Sequence, residues 1–128
     1  IEGAHQGSGL GDQFLRHIER TLLLVHVVDV SDLVVNDPVH NFEVVNRELR
    51  LYNESLLDRP MIAVASKADA AQDHQKLEKF ESFCRSRKLP FFTISAATGK
   101  GVGQLVEYMT GAVEELRRLH GEHPSTEA

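Results

Sequence analysis

The run LLLVHVVDV, residues 22–30, is almost unbroken in apolar side chains. A run of this length predicts a strand buried on both faces, as in a parallel sheet. MIAVAS, residues 61–66, and FFTIS, residues 91–95, predict two more strands. Between the strands the apolar period lengthens to that of a helix. Phe42, Val45, Leu49 and Tyr52 recur at helical spacing behind Asp37-Pro38, an N-cap followed by a first-turn proline. Leu77, Phe80 and Phe83 mark the inner stripe of a helix that Asp73 is placed to cap, and Pro90 ends the connection behind it. Val102, Leu105, Val106, Met109, Val113 and Leu116 line one side of a last helix. At the front of the chain, Asp12 is placed to cap a short helix over QFLRHIERT, behind the glycine-rich loop IEGAHQGSGLG, residues 1–11. The end, GEHPSTEA, residues 121–128, predicts a flexible tail.

The order is thus α-β-α-β-α-β-α. Strands alternating with amphipathic helices predict the α/β class: a parallel sheet with flanking helices, joined by right-handed crossovers. Three strands are few for such a sheet, which predicts that further strands precede this segment. A start at Ile1, inside a glycine-rich loop, reads as a piece cut from a longer protein.

Composition narrows the function classes. With 128 residues, 41% apolar and 26% charged, the chain has the size and balance of one globular domain. Its formal charge of −5 gives no electrostatic footprint for unaided nucleic-acid binding. The longest apolar run is too short to span a bilayer and carries His26 and Asp29, so no membrane association is expected. The single Cys84 excludes an internal disulfide. The histidines show no ligand spacing with thiols or carboxylates, which predicts no metal site in this chain. His26 reads as a packed strand residue and Asp29 as an acceptor for loop N–H groups.

The chemistry sits where strands end. In open α/β sheets ligands bind beyond the carboxyl ends of the strands. Here these ends are Asp29-Val30-Ser31, Ser66-Lys67-Ala68-Asp69 and Ser95-Ala96-Ala97. A carboxylate has two acceptor oxygens and can take the adjacent N1–H and 2-amino donors of guanine in a fork. Adenine lacks that donor pair, so one Asp discriminates. A lysine two positions earlier can lay its methylene stem on the base while its ammonium stays wet. Small residues at Ser95, Ala96 and Ala97 allow a backbone N–H to approach the guanine O6.

SKAD, residues 66–69, resembles the Asn/Thr-Lys-x-Asp guanine-specificity motif of translation-factor-type GTPases, and ISAATGKG resembles their Ser-Ala turn. IEGAHQGSGLGDQFLRHIERT, then HVVDVS, then DPV and a helix containing VNRELRLY, resemble the Obg family. The resemblance runs from Ile1 to about residue 118, and the long N-terminal match is its most specific part. It implies that residues 1–120 are the C-terminal part of a P-loop GTPase-type domain, with residues 1–11 as the switch II loop. Gly3, Gly7, Gly9 and Gly11 would let that loop move with the γ-phosphate. Asp69 would read guanine N1 and N2, Lys67 would cover the base, Ser95 to Ala97 would contact O6, and Ser66, where the family has Asn, would complete the guanine-binding set. For the parent protein the resemblance implies GTP and GDP as ligands, Mg2+ held by residues outside this chain, GTP hydrolysis, a cytoplasmic location and association with the large ribosomal subunit during its assembly.

No G-x-x-x-x-G-K-[ST] string occurs in the chain, and switch I and the Asp-x-Pro-Gly motif are not found either. Phosphoryl transfer depends on those parts, so the segment alone is expected to be inactive, with no catalytic residue of its own. An unpaired sheet edge is expected to favour self-association. Two other readings use the same strand ends. A phospho-acceptor receiver would use Asp29, Ser66 and Lys67, although Ser-Ala stands where its last strand needs a lysine. A degenerate α/β domain would bind only a protein.

Overall fold

The computed structural model describes residues 21–121 except 33, 35 and 71–73. Strand β1 is Leu24–Asp29 and helix α1 is Pro38–Tyr52. A 3-10 helix, Glu54–Asp58, leads to β2, Met61–Ser66. A 3-10 turn, Ala68–Ala70, precedes α2, Gln75–Ser86, which is followed by β3, Phe91–Thr93, and α3, Val102–Leu119. The sheet order is β1-β2-β3 and every pairing is parallel. Asp29 stands opposite Ser66, and Ala65 opposite Thr93, so the three strands end along one edge.

Alternation along β2 sorts the two faces. Ala63 and Ala65 point to one side, where they join Val28, Val30, Phe42, Phe80 and Cys84 in a buried cluster formed with α1 and α2. Their small side chains leave room for rings: Phe42 and Phe80 meet edge to face at 5.6 Å, and Phe80 meets Phe91 at the same distance. Ile62 and Val64 point to the other side and pack with Leu105 of α3, flanked by Phe92, Ile94 and Met109. The sheet is therefore a middle layer, with α1 and α2 on one face and α3 on the other. Leu24, Leu49 and Leu56 close the end of the core where α1 runs into its 3-10 helix.

The α1 start follows the expected chemistry: Asp37 Oδ1 accepts the Val39 N–H at 3.0 Å, with Pro38 in the first turn. Helix α2 has His74 at its N-cap with no capping side-chain bond; Asp73, the expected cap, lies outside the described residues. The short helix expected over 13–21 and the tail beyond Gly121 also lie outside them, apart from Thr21 at the helix's end.

Three expectations need correction. The first strand is not buried on both faces: Val27 is 53% exposed, because α3 covers Leu23 and Val25 but not the far end of β1. The third strand stops at Thr93, since Ser95 bonds within its own turn instead of extending the ladder. On α3, Leu105 is the residue pressed into the sheet, while Val106 on the next position is 53% exposed. The apolar stripe of α3 is wider than the three described strands beneath it.

Cys84 is fully buried, and burial pushes its thiol up to about 11. His26 is stacked on Phe42, with centroids 4.4 Å apart and planes 19° from parallel. Burial lowers its pKa from 6.5 to about 4, against a smaller upward pull from Asn46. The sign follows from linkage. The unfolded chain takes up the proton as pH falls through 6.5, while folded His26 stays neutral until about 4. Stability is then complete above 6.5 and drops by on the order of 3 kcal/mol across that window. Urea unfolding midpoints at pH 7.5 and about pH 4.5 should differ, and His26→Phe should remove most of the difference relative to the parent chain.

Candidate functional site at the carboxyl edge of the sheet

Backbone bonds tie the three strand ends together. Val30 N–H donates to the Ser66 carbonyl at 3.1 Å, and Ile94 N–H donates to the Ala65 carbonyl at 2.9 Å. Beyond β2 the chain turns abruptly. Lys67 has φ of 58°, in the left-handed region that side chains seldom adopt. Its carbonyl accepts the Ala70 N–H at 3.0 Å, which closes the 3-10 turn carrying Asp69.

This geometry sets Ser66, Lys67 and Asp69 of SKAD apart. Ser66 turns inward, and its Oγ donates to the Val28 carbonyl at 3.4 Å. Lys67 is exposed, and its Nζ lies 3.2 Å from Asp29 Oδ2. The Asp69 carboxylate is exposed on the 3-10 turn, with no pairing group among the described residues. Neither of its oxygens is thus engaged by a described residue.

The end of β3 is built from the buried Ser95. Ser95 N–H donates to the Lys100 carbonyl at 3.0 Å, and its own carbonyl accepts the Gly99 N–H at 2.7 Å. Its Oγ accepts the Thr98 N–H at 3.2 Å. These three bonds fold residues 95–100 into a closed turn and leave Ala96 and Ala97 exposed at its tip. No described residue accepts from the N–H groups of Ala96 and Ala97. Gly101 seals the base of the turn: with φ of 81°, a Cβ there would lie 2.1 Å from the Thr93 carbonyl oxygen. Gly99, at φ of 77°, faces open space.

Asp29 acts as the sequence suggested, since its Oδ1 accepts the Ser31 N–H at 2.8 Å. Burial alone would raise its pKa, but the Ser31 bonds and Lys67 outweigh burial and hold it below the ordinary carboxylate range. The contact with Lys67 was not legible in the sequence, because it joins residues 38 positions apart. The one local hint is the Asp-x-Ser spacing, which favours a side-chain acceptor two residues before an N–H donor.

Ser66, Lys67, Asp69, Ser95, Ala96 and Ala97 all lie at the ends of β2 and β3, while Gly3, Gly7, Gly9 and Gly11 lie outside the described residues. Among the described residues no three His, Cys, Asp or Glu side chains converge as metal ligands. No described helix is long and apolar enough to cross a membrane. A concavity of about 470 Å³ is at the opposite edge of the sheet, lined in part by Pro60 and Pro90 just before β2 and β3 and by Met61 at the start of β2.

No protein-family model matches the chain. Curated relatives match it closely. The protein named GTPase Obg of Solibacter usitatus is 52% identical over 113 residues, 88% of this chain and 34% of that protein. The GTPase Obg of Aquifex aeolicus is 47% identical over 117 residues, 91% of this chain and 34% of that protein. That of Clostridioides difficile is 46% identical over 116 residues, 91% of this chain and 27% of that protein. The chain therefore spans about a third or less of the length of these relatives.

The two glycines of the closed turn should respond differently. Gly99→Ala meets only the left-handed backbone cost, about 1 kcal/mol. Gly101→Ala adds a collision with backbone that cannot move aside, and should cost at least about 2–3 kcal/mol. Thermal unfolding of the two variants side by side checks this order.

Proposed function

The chain belongs to the Obg family, and we propose that this segment reads the guanine base of GTP and GDP within a larger GTPase. The observation that carries the reading is a pairing across two strand ends. Among the described residues, an exposed carboxylate without a partner, Asp69, follows β2, and two exposed N–H groups without acceptors, at Ala96 and Ala97, follow β3. Asp69 accepts from guanine N1–H and the 2-amino group. A backbone N–H of the Ser95–Ala97 turn donates to O6, and the Lys67 stem covers one face of the base. This donor–acceptor pattern matches guanine and mismatches adenine.

Ser66 completes the guanine-binding set, and its hydroxyl, which faces the Val28 carbonyl, helps to hold the edge. Gly3, Gly7, Gly9 and Gly11 serve as the switch II loop. Hydrolysis belongs to the whole protein. The chain contains no G-x-x-x-x-G-K-[ST] string, so the phosphates and Mg2+ are held by residues outside it. The names of the relatives support the GTPase reading over the receiver reading. Association with the large ribosomal subunit during its assembly, and a cytoplasmic location, complete the proposal for the parent protein. The isolated segment, with Val27 half exposed beside the β1 edge, is proposed to self-associate along that edge.

Asp69→Asn in the full-length parent protein tests the base-reading role. The substitution turns one acceptor into a donor facing guanine's own donors, while xanthine presents a carbonyl at that place. GDP affinity should fall by on the order of 100-fold or more, and xanthosine diphosphate should bind better than GDP. A variant that keeps its guanine preference in competition binding would refute this assignment of Asp69.

A further inference from the structure

We propose that Asp29 is a positioning residue for the nucleotide site: it holds the Lys67 ammonium on the β1 side of the edge, so that the lysine stem is laid out as a platform before the base arrives. The inference rests on the guanine-reading role proposed for Lys67 and goes beyond it, because Asp29 lies outside the SKAD motif and outside the Ser-Ala turn.

Three observations support it. First, the pair is geometrically specific. Lys67 Nζ lies 3.2 Å from Asp29 Oδ2, while the other oxygen, Oδ1, is fixed by the Ser31 N–H at 2.8 Å. One carboxylate thus joins the buried Val30-Ser31 segment to a flexible side chain. Val30 and Ser31, which follow Asp29, are both fully buried, so the anchor is set against the core.

Second, the placement suits the task. Asp29 is opposite Ser66 in the β1–β2 register, whereas β3, with the Ala96-Ala97 tip, lies on the other side of β2. The ammonium is therefore drawn away from the place where O6 would sit. The Lys67 side chain remains 58% exposed although its end is tethered, which leaves its stem open to a flat ligand.

Third, the backbone is already committed. Lys67 is held in the left-handed region by the turn that follows it, and Val30 N–H grips Ser66 from the β1 side. The freedom that remains is in the lysine side chain, and ordering a long side chain on binding weakens affinity. A tether made in advance lowers that cost. An ion pair whose lysine is open to solvent is worth little as a stabiliser of the fold, so its expected effect is on binding rather than on folding.

The test is a double-mutant cycle in the full-length parent protein, with GDP affinity measured by calorimetry. Asp29→Asn removes the charge but keeps an oxygen for the Ser31 N–H. It should weaken GDP about 3- to 10-fold while leaving the thermal midpoint close to that of the parent. Lys67→Ala should weaken GDP by at least as much. In the Lys67→Ala background, Asp29→Asn should have less than about a 2-fold further effect, because the group it positions is gone. An equal loss in both backgrounds would make Asp29 a purely structural loop brace and overturn the proposal. A loss for Lys67→Ala with none for Asp29→Asn would also overturn it. No loss for Lys67→Ala would instead refute the guanine-reading role of Lys67, and with it the premise.

Discussion

Strand β2 lies between two parallel neighbours, and its main-chain groups are shared between them. Leu24 to Asp29 align with Met61 to Ser66 on one side, and Phe91 to Thr93 align with Ala63 to Ala65 on the other. An apolar strand in this position has no water to satisfy its amides, so its ladder must be complete. That constraint fixes where the chain may leave the sheet. The last bonds, from Val30 to Ser66 and from Ile94 to Ala65, set the level at which three loops emerge together. A shift of one residue in either pairing would exchange Ala63 and Ala65 with Ile62 and Val64 between the faces. The aromatic cluster of Phe42, Phe80 and Phe91 would then meet bulk where it now meets methyl groups.

Above that level the polar groups divide into two kinds. Some are consumed in building the loops: Ser66 and Ser95 turn their hydroxyls into the structure, and Asp29 Oδ1 caps Ser31. Others make no bond to any described residue, among them the Asp69 carboxylate and the N–H groups of Ala96 and Ala97. A loop whose internal bonds are already made can present its remaining donors and acceptors with little reorganisation, which is what recognition of a flat, polar base requires.

Much of this arrangement was legible in the sequence. MIAVAS predicted β2 residue for residue, and Asp37-Pro38 located the start of α1, because burial period and capping chemistry are local properties. The strand-end positions of Lys67, Asp69 and Ser95 followed from the same pattern. What escaped the sequence depends on neighbours distant in the chain. Ser95 looked like a strand residue until its three bonds to residues 98–100 folded it into a turn. Val106 belonged to an apolar stripe, but only the width of the layer beneath α3 decides which part of that stripe is covered. The left-handed backbone of Lys67 and its reach to Asp29 had no signature, since a lysine is free of conformational hints that a glycine or proline would give.

The chain's single thiol has a practical consequence. Cys84 faces the sheet from α2, without solvent contact and with ionisation suppressed. Alkylating reagents attack the thiolate, so in the closed molecule Cys84 is chemically silent. It reacts only when the layer between α2 and the sheet opens to solvent. The rate of its modification is therefore a clock for the opening of that layer, and it can be read without adding a probe anywhere near the strand ends.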